Sequence, residues 1–157
     1  MKNWLISLLL LAGLAWMNGC DQDPALSPEE QEAVDVALIE QYVADNNLDG
    51  YYTENNIFVS LDEEGTGTET PGPNSTVEVV YTGKYLTGNE FDSSDGLSVQ
   101  FGLQQVIAGW REGLQEFKRG ARGIIIIPSR YAYGPRGRAS IPPNSVLLFE
   151  LELLDFQ

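Results

Sequence analysis

The second half of this chain is organised around the segment Val106-Ile107-Ala108-Gly109-Trp110-Arg111-Glu112-Gly113. Residues 109–117 follow a helical pattern, because Trp110, Leu114 and Phe117 recur at the spacing of one helix face. This is the one short helical pattern in this half of the chain. It therefore predicts a single short helix among strands.

Strand patterns lie on both sides of this helix, at residues 57–60, 77–81, 123–128 and 146–156. Turn residues interrupt the chain at 86–89 and 94–96. Residues 62–75 collect Asp, Glu, Gly, Thr and Pro, and we expect a flexible, exposed loop there. Several antiparallel strands wrapped on one short helix predict an α+β fold.

A second helix is predicted before these strands, and its start is marked by Ser27-Pro28-Glu29-Glu30. Serine suits the N-cap, proline suits the first helical position, and a glutamate three residues after the serine completes a capping box. The apolar positions that follow share one face and are Val34, Leu38 and Tyr42, with Ile39 and Val43 beside them. We expect an acidic helix that ends near Asn46.

The segment after this helix resembles half of a calcium-binding loop. Asp45, Asn47 and Asp49 place oxygen ligands at the first, third and fifth positions of an EF-hand loop, and Gly50 occupies the sixth. The twelfth position, which should be glutamate, is Asn56, and a strand follows instead of a second helix. The pattern favours a helix end that turns at Gly50, with weak calcium binding as the alternative.

The composition excludes several classes of function. The chain has one cysteine and no histidine, which rules out an internal disulfide, the usual zinc ligand sets and a Ser-His-Asp triad. We expect no metal and no cofactor. Nine Lys and Arg against 23 Asp and Glu give a formal net charge of −14, which disfavours binding to the phosphates of nucleic acids.

The amino end has the pattern of an export signal. Lys2 precedes an apolar run at residues 4–17, which is shorter than the roughly 20 residues that span a bilayer and suits a signal-peptide core. The run leads into Met17-Asn18-Gly19-Cys20, which resembles the lipobox of bacterial lipoproteins. We expect a signal peptide at residues 1–19, lipidation of Cys20 and attachment to a membrane of the bacterial cell envelope. An ordinary signal peptide is the alternative.

Six motifs, taken together, resemble the FKBP family of peptidyl-prolyl cis/trans isomerases from about residue 57 to the end of the chain. They occur in the family's order and near its spacing, and they are Val80-Tyr81-Thr82-Gly83, Phe91-Asp92-Ser93-Ser94, Val106-Ile107-Ala108-Gly109-Trp110-Arg111-Glu112-Gly113, Tyr131-Ala132-Tyr133-Gly134, Ile141-Pro142-Pro143-Asn144 and Leu148-Phe149-Glu150-Leu151-Glu152-Leu153-Leu154. With this resemblance, the chain divides into the signal peptide, an acidic linker and helix at 20–52, and an FKBP-type domain at 53–157.

By position, the resemblance implies a proline-binding pocket with Asp92 and Tyr133 as catalytic residues and Trp110 as its floor. It further implies that the Ile107 N–H and the Tyr133 hydroxyl donate hydrogen bonds to carbonyls of the bound peptide. The side chains that the resemblance assigns to substrate binding are Tyr81, Phe91, Leu97, Val106, Ile107, Trp110, Ile141 and Phe149.

The sequence departs from the family pattern at the rim of this pocket. Leu97 stands where the family often has an aromatic residue, and Ser140 replaces an apolar one. The loop at residues 135–140 is slightly shorter than usual and contains Arg136 and Arg138. We expect these departures to change peptide preference more than the catalytic centre.

The implied activity is isomerisation of X-Pro bonds in exported polypeptides, which assists folding at the envelope. Rotation about a peptide bond has a barrier near 18–20 kcal/mol, because twisting breaks amide resonance. An apolar pocket disfavours the planar, charge-separated bond more than the twisted one, so it binds the transition state preferentially without transferring a proton. Macrolides such as rapamycin or tacrolimus are further expected ligands, and we expect a monomer. The alternative is a non-catalytic module that binds proline-containing peptides.

Overall fold

The computed structural model describes residues 26–157, so the predicted signal peptide and Cys20 lie outside the described residues. Its helices are α1 (Pro28–Asp45) and α2 (Ala108–Gly113). Its strands are β1 (Tyr51–Tyr52), β2 (Phe58–Thr66), β3 (Thr76–Tyr85), β4 (Glu90–Ser93), β5 (Val99–Gly102), β6 (Arg119–Ile127) and β7 (Leu147–Phe156). The predicted α+β fold, with one short helix among antiparallel strands and a further helix before them, is confirmed.

The described strands form a seven-stranded antiparallel sheet in the order β1-β2-β6-β7-β3-β4, with β5 paired to β3. Side chains of β6 alternate between two packed faces. Ile125 and Ile127 join the core that contains α2, whereas Ile126 packs with Ile39 of α1. An uninterrupted apolar run in a strand is expected where both faces of the sheet are covered, which explains the apolar sequence of β6.

Two glycines allow α2 to lie against β6. A Cβ atom at Gly109 would come within 2.3 Å of the Ile127 side chain, and one at Gly113 within 2.7 Å of the Ile125 side chain. Because the glycines are four residues apart, they share the helix face that meets the sheet. The predicted helical pattern ends in a tighter turn, since the α-helix stops at Gly113 and a 3₁₀ turn follows at Leu114–Glu116.

The boundaries of α1 agree with the sequence pattern. The Glu30 N–H donates to the Ser27 hydroxyl at 3.2 Å and the Ser27 N–H donates to the Glu30 carboxylate at 2.9 Å, which is a capping box. After Asp45 the chain turns at Asn47, whose φ is 51°. The prediction of a turn at Gly50 was therefore wrong by three residues.

The predicted apolar face of α1 is correct for Ile39, Tyr42 and Val43, which pack on the core, and wrong for Val34 and Leu38. Val34 and Leu38 are 43% and 48% exposed, whereas Asp35 and Ile39 are fully buried. Ile39 packs against Phe58, Ile126, Val146 and Leu148 on the sheet face opposite α2. In the first half of the helix the buried positions are thus shifted by one residue, from Val34 and Leu38 to Asp35 and Ile39, and the buried Asp35 carboxyl accepts a hydrogen bond from the Ser129 N–H.

The loop predicted at residues 62–75 is shorter than expected. β2 continues to Thr66 and pairs with β6 along this length, so the connection to β3 covers only residues 67–75. The acidic side chains of this strand extension face solvent and meet cations of β6 and its approach, with Glu64 3.4 Å from Lys118 and Glu63 3.8 Å from Arg122. A strand whose exposed positions are mostly charged has a composition like that of a loop, which explains why the sequence pattern predicted a loop here.

Within residues 26–157, no three or more acidic, cysteine or histidine side chains are grouped so that they could hold a metal ion. The same part of the chain has no helix long and apolar enough to cross a membrane.

Candidate functional site

A cavity of about 370 Å³ is lined by residues of α2, of strands β3, β4, β5 and β7, and of the segments before α2 and between β6 and β7. Its volume falls in the range of small-molecule sites in proteins. Its aromatic lining residues are Tyr81, Phe91, Phe101, Trp110, Tyr133 and Phe149, and its aliphatic ones are Val106, Ile107, Ala139 and Ile141. The polar lining residues are Asp92, Gln105, Arg138 and Ser140. We call this site the aromatic cavity.

Trp110 forms the centre of the aromatic cluster. Its ring makes edge-to-face contacts with Tyr81, Phe101 and Phe149, at centroid distances of 5.1, 5.6 and 5.2 Å and interplanar angles of 89°, 88° and 83°. Such contacts add to the burial free energy and fix the ring orientation. Within the described residues, the buried indole N–H of Trp110 has no hydrogen-bond partner. The cavity floor is therefore a rigid apolar surface.

Asp92 is bound to Tyr81 on the wall of the cavity. The Tyr81 hydroxyl donates to Asp92 Oδ2 at 2.8 Å, and Asp92 Oδ1 accepts the Ser93 N–H at 3.0 Å. Burial, and then the hydrogen bond to the carboxylate, raise the pKa of Tyr81, so the phenol remains a donor at neutral pH. The geometry thus allows Asp92 to orient the Tyr81 side chain.

Two hydrogen-bond donors on the cavity wall are unused by the described residues. The Ile107 N–H lies at the N-cap of α2, where its carbonyl already accepts bonds from Trp110 and Arg111. Among residues 26–157 the Tyr133 hydroxyl has no hydrogen-bond partner, and its ring centroid lies 5.5 Å from the Arg138 guanidinium. These are the two groups that, by the family resemblance, donate to peptide carbonyls.

The second half of the rim loop, residues 135–140, is held by hydrogen bonds. Arg138 and Ile141 exchange backbone hydrogen bonds of 2.9 and 2.8 Å, and Tyr85 donates to the Ser140 carbonyl at 3.2 Å. Gly137 has a φ of 62°, and a Cβ there would lie 2.3 Å from the Ile141 carbonyl oxygen. The cation of Arg138 is thus presented at a fixed backbone position beside the cavity.

Leu97 does not line the aromatic cavity, contrary to its predicted place there. It is 70% exposed, because the turn at Asp95 and Gly96, both with positive φ, directs the chain outward before β5. Phe101 of β5, which the sequence analysis did not assign to the site, lines the cavity and contacts Tyr81 and Trp110. The alternation of Val99 and Phe101 in β5 was the sequence signal for this residue. The other predicted site residues all line the cavity.

The fold and the cavity define an α+β protein with an apolar, ligand-sized site between its sheet and a short helix. The profile of FKBP-type peptidyl-prolyl cis-trans isomerases matches residues 67–154, which is more than half of the chain. The chain belongs to this family.

Individual relatives agree with this assignment. A probable FKBP-type peptidyl-prolyl cis-trans isomerase of Haemophilus influenzae is 44% identical over 106 residues, which make up 66% of this chain and 44% of that protein. The crystal structure of FkpA from Escherichia coli has a TM-score of 0.70 and 36% identity, over 82% of this chain and 62% of that chain. A peptidyl-prolyl cis-trans isomerase of Pseudomonas syringae pv. tomato has a TM-score of 0.70 and 31% identity, over 84% of this chain and 97% of that chain. The first two relatives are thus matched over less than two thirds of their length.

Proposed function

We propose that this protein catalyses cis/trans isomerisation of X-Pro peptide bonds in the aromatic cavity. The observation that carries the proposal is the combination of an apolar, rigid floor with two unused donors, the Ile107 N–H and the Tyr133 hydroxyl. A proline ring fits a surface of this kind, and the donors suit the carbonyl groups on either side of it.

The mechanism follows from what changes when the bond twists. A planar X-Pro amide is polarised by resonance, and this polarisation falls as the bond rotates. The apolar surface of Trp110 and Phe149 solvates the polarised state poorly, so it favours the twisted state, while fixed donors hold the flanking carbonyls. No covalent bond is made or broken. Asp92 acts through Tyr81, whose hydroxyl it holds in place.

Catalysed refolding of a protein that is limited by proline isomerisation tests this proposal. We expect the slow phase to accelerate in proportion to enzyme concentration, and rapamycin or tacrolimus to abolish the acceleration by occupying the cavity. A Tyr133→Phe variant should be slower, because it lacks one donor. If the protein binds the unfolded chain and leaves the slow phase unchanged or delays it, the site is a peptide-binding module and the proposal is wrong.

We further propose that the protein is a monomeric lipoprotein of the cell envelope that acts on exported polypeptides. Support comes from the sequence alone: the apolar run at 4–17 and the single cysteine, Cys20, directly after it. The division into a linker with helix at 20–52 and an isomerase domain at 53–157 is likewise a proposal. The packing of α1 on the sheet gives the helix a structural role beside that of a spacer.

A further inference from the structure

Three consecutive residues before Tyr133 are held by side chains that precede residue 57. The Ser129–Tyr131 turn follows β6, and Tyr133 lies two residues beyond it. Ser129 pairs with Asp35 and Arg130 with Glu32, both of α1. Tyr131 pairs with Asn55, which lies between β1 and β2. All three partners lie outside residues 67–154, the part of the chain that matches the family profile.

Asp35 makes the most buried of these contacts. It is fully buried, and its Oδ2 accepts the Ser129 N–H at 2.8 Å while its Oδ1 accepts a hydrogen bond from Gln31 at 2.8 Å. A buried carboxyl group is costly unless its oxygens are hydrogen-bonded. The Ser129 N–H is itself inside the protein and would lose its acceptor without this side chain. The contact therefore fixes the first residue of the turn relative to α1.

Asn55 connects the same turn to α2. The Tyr131 hydroxyl donates to Asn55 Oδ1 at 2.8 Å, and Asn55 Nδ2 donates to Glu112 Oε2 at 2.6 Å. The other carboxylate oxygen of Glu112 accepts a hydrogen bond from the Thr53 hydroxyl. Glu112 belongs to α2, two residues after Trp110. One side chain thus links the turn that precedes Tyr133 to the helix that carries the cavity floor.

We propose that Asp35 and Asn55 are positioning residues that set where the Tyr133 hydroxyl lies in the aromatic cavity. This inference rests on the proposed isomerase function. Within the described residues, the Tyr133 hydroxyl makes no hydrogen bond, so its placement depends on the packing of its ring and on the turn that precedes it. A donor must reach its acceptor within hydrogen-bond distance, and a displacement of about 1 Å can cost a large part of its effect.

The test measures kcat/KM of the full chain for an X-Pro peptide. The temperature is one at which circular dichroism shows that each variant is folded. We expect Asp35→Ala and Asn55→Ala each to lower kcat/KM by about three- to tenfold. Asp35→Asn should stay within about twofold of the wild type, because its amide oxygen can still accept the Ser129 N–H. The matched control is Ile39→Ala, which weakens the packing of α1 without touching the turn. It should leave kcat/KM unchanged while the protein is folded.

A double-mutant cycle with Tyr133→Phe separates positioning from general loss of structure. If Asp35 acts through the Tyr133 hydroxyl, Asp35→Ala should have little further effect in the Tyr133→Phe background. An equal loss in both backgrounds, an equal loss in Ile39→Ala, or no loss at all would overturn the inference. If Asp35→Ala does not fold, Asn55→Ala completes the same cycle. An inactive wild type would overturn the proposed function and this inference together, whereas the other adverse outcomes leave the function standing.

Discussion

Trp110 combines two roles in one side chain, because it is both the cavity floor and the centre of three edge-to-face aromatic contacts. We expect Trp110→Ala to abolish measurable isomerase activity and to lower the free energy of unfolding by about 3–5 kcal/mol, as for other large-to-small core substitutions. Chemical denaturation and a peptide assay measure the two effects.

Trp110→Phe provides the matched control for this substitution. It keeps an aromatic floor and removes the indole N–H that has no partner within the described residues, so its stability cost should be clearly smaller. An alanine variant that isomerises peptides at the wild-type rate would show that the aromatic cavity is not the catalytic site.

Arg138 should give the proposed enzyme a preference for acidic peptides. It lines the cavity, and none of the ion pairs among the described residues includes it. Exposed ion pairs are weak, so we expect a peptide with Glu before proline to be processed roughly two- to fivefold better than one with Lys. High salt should reduce this ratio.

The variant Arg138→Gln should remove most of the preference for Glu over Lys, and Arg136→Gln in the same loop is the matched control. Arg136 does not line the cavity, so its substitution should leave the ratio largely intact. A ratio near one in the wild-type protein would refute the assigned role of Arg138.

Leu97 and Phe101 show what the sequence could and could not predict at the scale of single residues. The family motifs correctly predicted nine residues of the cavity lining, because each of them is identified by its position within a short motif. The choice between Leu97 and Phe101 depended on where the chain leaves the turn at 94–96 and enters β5. That direction is set by pairing with β3, which a single-sequence pattern does not contain.

At the scale of elements, the sequence predicted α1 and the packing of Ile39, Tyr42 and Val43, but not the burial of Asp35. Apolar spacing favours Val34 and Leu38, and a burial rule based on side-chain polarity excludes Asp35. The structure buries Asp35 because Ser129, which lies 94 residues further along the chain, offers a backbone N–H. The partner of a buried polar group is set by tertiary structure, so local patterns could not identify it.

The buried face of α1 is directly testable by two neighbouring substitutions. Ile39→Ala should lower the free energy of unfolding by about 2–5 kcal/mol, because it empties a packed position between α1 and the sheet. Leu38→Ala should change it by no more than about 0.5 kcal/mol, as for other exposed positions. Equal effects of the two would contradict the packing of α1. The same denaturation experiment on a protein that starts at residue 53 tests the proposed domain boundary.

At the scale of the whole molecule, the proposed lipid on Cys20 should decide where the protein resides. Each buried methylene contributes about 0.8 kcal/mol, so several acyl chains on one residue would hold the protein stably at a membrane. Cys20→Ser should move the protein from the membrane pellet to the soluble fraction in cell fractionation. Detergent extraction of the wild type serves as the control. A variant that still sediments entirely with membranes would exclude the lipid as the anchor.

The pH dependence of the whole molecule should show a flat activity and an alkaline loss of stability. The chain has no histidine and the proposed mechanism transfers no proton, so the catalysed rate should be nearly constant between about pH 5.5 and 8. A tenfold change in the catalysed rate inside this window, with the fold intact, would mean that a titrating group takes part.

The loss of stability at alkaline pH follows from two tyrosines. Burial, then the hydrogen bond and charge of Glu116, raise the pKa of Tyr51 to about 12, and burial also raises the pKa of Tyr81. A tyrosine whose pKa in the folded state lies above the unfolded value of about 10 stabilises the folded state below pH 10. This stabilisation is lost as the pH rises through the pKa of the folded state. Thermal midpoints should therefore fall between about pH 10 and 12, and less steeply in Tyr51→Phe.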